Sequence, residues 1–180
     1  IKELFLVASP RNAGQKINFI GKEHEVFNIE TFDFSKIKIN FFAAGGKISE
    51  QYAVKAAKNT IIIDNSSFFR MDPDVPLIVP QVNSEAIKSM KKNIIANPNC
   101  STAQLVIALK PLHDLFNIVR IVVSTYQSVS GGGKDPMDEL IEQTKVYMDN
   151  KQSNSRKFTQ QIALDANPHI GVFADDGYTK

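Results

Sequence analysis

A single cysteine among 180 residues excludes an internal disulfide, and the natural setting for such a chain is a reducing, cytoplasmic one. No apolar run approaches the roughly 18 residues of a membrane helix, and no signal-peptide pattern opens the chain, so no membrane partner is expected. Excess charge is lacking too: 21 Lys and Arg against 19 Asp and Glu leave a formal +2, which gives no reason to expect a nucleic-acid partner. Neither an internal repeat nor a low-complexity tract is found, and no metal-ligating set is read from the sequence. The chain opens on Ile1 rather than Met, and its first residues already read as a strand, with no Gly-rich phosphate-binding turn before them. An internal piece of a longer protein is therefore expected. What is present is a 43% hydrophobic composition, globular and enough for a sizeable core.

The one cysteine lies where an extended segment turns into a helix. Residues 93–96 read as the end of a short strand, Pro98 fixes its own φ and turns Asn97 away from helix, and Asn99 is a helix-cap residue. After Cys100, the spacing of Ala103, Val106, Ile107 and Leu109 predicts a helix to about residue 109, with Pro111 kinking or restarting it toward Phe116. Backbone amides and the dipole at a helix start favour a thiolate, which attacks carbonyl carbon. The competing reading is a buried structural thiol, a common fate of cysteine.

Residues 4–8 end at the turn Ser9, Pro10, Arg11, Asn12, Ala13, Gly14. In nucleotide-binding α/β folds, a carboxylate near the end of the second strand suits NAD and an arginine suits the 2′-phosphate of NADP. This turn offers Ser9 and Arg11 and no carboxylate; a solvated surface arginine is the alternative. Residues 17–21 and 23–29 read as short strands, and 37–43 as a buried parallel strand ending at Gly45 and Gly46. The glycine pair allows close approach of a ligand, or simply a tight turn into a helix over about 49–58. Residues 60–64 form another apolar strand, with Asn65, Ser66 and Ser67 at its carboxyl end, where ligands of open α/β sheets lie. Arg70 follows, suited to two-pronged binding of phosphate or carboxylate, or to pairing with Asp72 or Asp74. A helix over about 84–92 leads back toward Cys100. Residues 118–124 are a β-branched run read as a strand, Thr125 to Lys134 sits at its carboxyl end, and 135–150 has helical periodicity with Pro136 in the first turn. Three glycines at 131–133 are by themselves compatible with a plain flexible loop.

Taken together, residues 63–83, the run Asn97, Pro98, Asn99, Cys100, Ser101, Thr102, and residues 124–134 from Ser124 through Gln127 to Lys134 resemble the aspartate-β-semialdehyde dehydrogenase family, in one long and ordered match. That resemblance implies a partial Rossmann-type NADP-binding domain over residues 1–97, followed by the first part of an α+β catalytic and dimerisation domain over 98–180. It implies Cys100 as nucleophile, with Arg70, Asn99 and Gln127 on the substrate and Arg70 on its phosphate. Ser9, Arg11, Gly45, Gly46, Ser66, Ser130, Gly131 and Gly132 fall to NADP. The substrate implied is an acyl phosphate, 4-phospho-L-aspartate, reduced with release of phosphate to aspartate 4-semialdehyde on the route to lysine, diaminopimelate, threonine and methionine. A homodimer or homotetramer is implied for the full-length protein. His169 is not paired with Cys100, because the family's catalytic histidine lies further on, so the isolated chain is expected to be inactive. The alternatives are an N-acetyl-glutamyl-phosphate reductase, for which glycine rather than Asn99 is expected before the cysteine, and a noncatalytic α/β fragment.

Overall fold

The computed structural model describes residues 3–151, 154–168 and 173–178, and the chain divides into two compact units, 1–121 and 122–180. In the first unit the strands form two three-stranded sheets. Strand β1 (Leu6–Ala8) pairs in parallel with β3 (Lys22–Asn28), which pairs on its other side with antiparallel β2 (Lys16–Phe19). The second sheet is all parallel: β4 (Ile39–Phe42), β5 (Ile61–Asp64) and β6 (Ile94–Ala96), with β5 in the middle. Its register sets Phe42 beside Asp64 and Asp64 beside Ala96, so all three strands end at one edge.

Alternate residues of β5 and β6 face the core: Ile62, Asp64, Ile94 and Ala96 are buried, while Ile61 is exposed and Ile63 and Ile95 are partly buried, as the period of two along a strand requires. Ala53, Ala56, Ala57, Phe42 and Phe69 close over them, and Ile29 and Phe34, which follow β3, join the same core. The helical run between β4 and β5 comprises α1 (Gly46–Ile48), a π-helical turn (Ser49–Ala53) and α2 (Val54–Ala56); its small residues let it lie close to the sheet. The expected strand at 37–43 is parallel as anticipated, yet Ile39 and Phe41 are exposed. Among the described residues only β5 pairs with β4, so one side of it remains an edge.

Two further expectations are corrected, and a third, the helix past Pro111, is narrowed. The helix expected over 84–92 instead starts at Pro80, whose missing amide is harmless at a first helical position, as α3 (Pro80–Asn83), and continues as a 3₁₀ segment (Ser84–Ser89). Asn83 leaves helical geometry there and folds back, accepting from the Val79 amide and donating to the Leu77 carbonyl. Helix α4 (Cys100–Phe116) runs through Pro111 without stopping and ends at Asn117, in the left-handed conformation with φ 51°. Residues 118–124 form no strand: Val119, Val122 and Val123 are exposed, and no described strand pairs with them, so β-branched propensity has no ladder to join.

The second unit is built on α5 (Lys134–Met148), which matches the periodicity of 135–150. Two buried polar side chains one turn apart hold the chain that follows. Glu139 accepts from the amides of Arg156 (3.0 Å) and Lys157 (2.7 Å), and from Gln143 Nε2 (2.9 Å). Gln143 Oε1 in turn accepts from the amides of Ile162 (2.8 Å) and Ala163 (3.2 Å). His169 and its neighbours 170–172 lie outside the described residues.

Candidate active site

Parallel strands that end together bring their following turns together, and here those turns carry half of the site residues singled out from the sequence. After β4 come Gly45 and Gly46, after β5 come Ser66 and Arg70, and after β6 come Asn99 and Cys100.

Gly45 has φ 91°, a conformation that L side chains rarely adopt, and an added Cβ there would meet nothing within 4 Å. The glycine therefore both permits the entry into α1 and leaves open space above the turn. Gly46 backs onto Phe68, whose Cβ would lie 3.9 Å from an added Cβ. Ser66 is buried, and its hydroxyl donates to Asp64 Oδ2 (2.8 Å) while accepting from the Phe68 amide (3.2 Å). Toward a ligand, Ser66 would act through the shape of its turn more than through its hydroxyl.

Arg70 does not pair with Asp72 or Asp74. Those carboxylates are held by lysines: Asp72 by Lys92 at 2.8 Å, Asp74 by Lys91 at 2.8 Å. The Lys92 hydrogen bond first, and the Asp74 amide second, hold the Asp72 carboxyl below its usual range, while Lys91 does the same for Asp74. Arg70 instead ties two strand ends together. Its Nε donates to the Asn97 carbonyl at 2.8 Å and its Nη2 to the Asn65 carbonyl at 3.4 Å. Among the described residues it makes no ion pair, so its positive charge sits unneutralised beside the turn that leads to Cys100.

Cys100 is exposed and occupies the first position of α4, contrary to the buried structural alternative. Asn99 caps the helix, its side chain accepting from the Thr102 amide at 2.9 Å and its carbonyl from the Ala103 amide at 3.0 Å. The sequence anticipated both features.

The turn 9–14 follows β1 at the carboxyl end of the other sheet. The Ser9 carbonyl accepts from the amides of Asn12 (2.9 Å) and Ala13 (3.2 Å), closing the turn, and Arg11 is exposed with no ion pair among the described residues. In the second unit, the glycine loop is a 3₁₀ turn (Val129–Gly132) leading into α5. There the Gln127 side chain lies over Gly131: an added Cβ would come within 1.7 Å of its Nε2. Ser130 Oγ is 2.6 Å from Ser128 Oγ, and an added Cβ on Gly132 would press on Pro136 at 3.0 Å. Gln127, Ser130, Gly131 and Gly132 are thus gathered in one loop.

Sequence reasoning missed Asp64 and Ser49. Asp64, fully buried, accepts from Ser49 Oγ (2.6 Å) and from the Ser66 amide (3.1 Å) and hydroxyl. The signal was an acidic residue ending an otherwise apolar strand. Among the described residues, no group of three or more His, Cys, Asp or Glu is arranged to hold a metal. Nor is any described helix long and apolar enough to cross a membrane.

Comparison with known proteins fits this arrangement. Residues 1–90 match the semialdehyde dehydrogenase NAD-binding domain and residues 109–180 the semialdehyde dehydrogenase dimerisation domain. The chain is 48% identical over 182 residues to an aspartate-semialdehyde dehydrogenase of Shewanella violacea and 52% identical over 185 residues to one of Aquifex aeolicus; each match takes in 100% of this chain and 54% of the relative. Among solved structures, aspartate semialdehyde dehydrogenase II of Vibrio cholerae complexed with ASA is 49% identical, with a TM-score of 0.95 over 100% of this chain and 54% of that one. The chain spans about half the length of the curated relatives it matches. With an α/β fold, two matching domain models and the expected resemblance borne out, the chain belongs to the semialdehyde dehydrogenase family.

Proposed function

We propose that the protein carrying this chain is an aspartate-semialdehyde dehydrogenase that reduces 4-phospho-L-aspartate to aspartate 4-semialdehyde, using NADP and a cysteine thioester. The observation that carries the reading is the exposed Cys100 at the capped start of α4, directly behind the turn that Arg70 holds. A thiolate there attacks the acyl carbon, the tetrahedral adduct collapses, phosphate leaves, and the acyl group remains on sulfur. Amides of the first helical turn favour the oxyanion in that step. Arg70 binds the departing phosphate, and Asn99 and Gln127 orient the substrate carbonyl and carboxylate. NADPH, when bound, supplies the hydride that converts the thioester to aldehyde and returns the thiolate.

Two groups already described support the cofactor reading. The open space over Gly45 allows backbone approach, and the exposed Arg11 charge suits a 2′-phosphate. Ser9, Gly46, Ser66, Ser130, Gly131 and Gly132 complete the cofactor set in this reading, with residues 1–97 serving the dinucleotide and 98–180 the catalytic and dimerisation part. The product feeds lysine, diaminopimelate, threonine and methionine formation in the cytoplasm, and the whole protein assembles as a homodimer or homotetramer. Residues 1–180 alone are expected to be inactive, since the relatives are about twice as long.

The test is the reverse reaction of the intact enzyme, with aspartate semialdehyde, phosphate and NADP, followed by NADPH absorbance. Cys100→Ser is expected to abolish turnover and leave NADP binding unchanged. Turnover retained by that variant would remove the thioester.

A further inference from the structure

The carboxyl edge of the parallel sheet is organised by a residue that the reading above assigns to neither ligand. Asp64 ends β5, the middle strand, and its buried carboxylate receives three hydrogen bonds and no cation among the described residues. One comes from Ser49, itself fully buried, the first residue of the π-helical turn that follows Gly45 and Gly46. The other two come from the amide and hydroxyl of Ser66, in the next strand's turn. Its main-chain carbonyl accepts from the Asn97 amide at 2.9 Å, which ties in the third turn, the one before Cys100.

A buried carboxylate without a cation is a poor device for stability alone. Desolvation disfavours the charge, and an apolar side chain of similar volume would fill the same place with less loss. What the carboxylate adds is direction: three charge-assisted hydrogen bonds fix the start of one turn relative to the other. The interruption of the helix by a π turn at Ser49, the residue that reaches Asp64, belongs to the same arrangement.

We propose that Asp64, through Ser49 and Ser66, is the positioning residue that holds the turns after β4 and β5 in the spacing the dinucleotide requires. The proposal rests on the reading that those two turns face the cofactor. Because the link to Asn97 runs through the main chain, side-chain variants leave the Cys100 turn in place. Cofactor affinity and thiol reactivity therefore separate.

The experiment measures NADPH dissociation by fluorescence and Cys100 alkylation by iodoacetamide, in the intact enzyme, for wild type, Ser49→Ala, Asp64→Asn and the double variant. Each single variant is expected to weaken NADPH by about tenfold, as for loss of a hydrogen bond to a charged group. The double variant is expected to be no weaker than the weaker single, because both break one network. Alkylation rates are expected to match wild type throughout. Unchanged NADPH affinity, or an alkylation rate that shifts in step with affinity, overturns the proposal. Ser49→Ala removes only a hydroxyl and decides the matter by itself should Asp64→Asn fold poorly. If wild type binds neither NADPH nor NADH, the cofactor reading falls first and this one with it; wild-type binding with unaltered variants removes only the role of Asp64.

Discussion

At the scale of single residues, Arg70 braces two strand ends while keeping its charge. Its Nε and one Nη nitrogen are engaged by the carbonyls of Asn97 and Asn65, so the guanidinium is held in a fixed orientation with its charge intact. Lysine would keep the charge and lose the planar fork. Arg70→Lys in the intact enzyme is therefore expected to raise the KM for phosphate in the reverse reaction by at least about tenfold, well beyond any change for NADP, and an unchanged phosphate KM would confine Arg70 to bracing the strand ends. Arg11 is the contrasting case, an exposed arginine with no carboxylate partner among the described residues. Arg11→Ala is expected to weaken NADP by about 1 to 3 kcal/mol and to spare NAD, as measured by titration with each; equal losses would take Arg11 away from the 2′-phosphate.

At the scale of elements, α5 is held to residues 155–163 by Glu139 and Gln143 rather than by a large apolar face. Glu139→Gln turns one acceptor oxygen into a donor facing backbone amides, at a cost of about 1 to 3 kcal/mol. Hydrogen exchange is expected to speed up at the amides of Arg156 and Lys157, and exchange rates like wild type would mean that other contacts hold the segment. The surface ion pairs act differently. Hydrogen bonding with Asp72, then its charge, raises the Lys92 pKa, while Lys92 lowers that of Asp72. The Asp72 contribution is fully present above the ordinary carboxylate value of about 3.9 and is lost as pH falls through the lowered one. The Lys92 contribution is present below about 10.4 and is lost as pH rises through the raised value. Lys92→Met should thus lower the thermal midpoint slightly at neutral pH, with the difference fading in strong acid, in strong base and in high salt. A difference independent of pH would assign the effect to packing.

These elements also mark what the sequence made legible. The α5 periodicity, the Asn99 cap and the apolar runs of β5 and β6 are local signals, and each appears where local chemistry puts it. Residues 118–124 carried an equally strong local signal for a strand, but a strand is completed by a neighbour, and the neighbour is not a local property. Pro111 illustrates the reverse, because losing one backbone hydrogen bond did not end a helix supported on both sides of it. The Ser49, Asp64 and Ser66 cluster joins positions 15 residues apart through one carboxylate. No periodicity announces such a contact.

At the scale of the whole chain, the order of the parallel strands is also the order of their synthesis: β4, then β5, then β6. Each crossover closes a loop of many residues before any ladder bond forms, so parallel pairing is slow compared with a helical turn. The strand that finishes the sheet ends at Ala96, four residues ahead of the only cysteine. Until β6 docks on β5, Asn97 has no Asp64 carbonyl to bond and Arg70 has no Asn97 carbonyl to grasp. The thiol is therefore a built-in clock hand for folding. In a refolding experiment with pulsed alkylation, the reactivity of Cys100 should settle to its native rate in the slowest phase, together with closure of the sheet, while far-ultraviolet helix signal returns earlier.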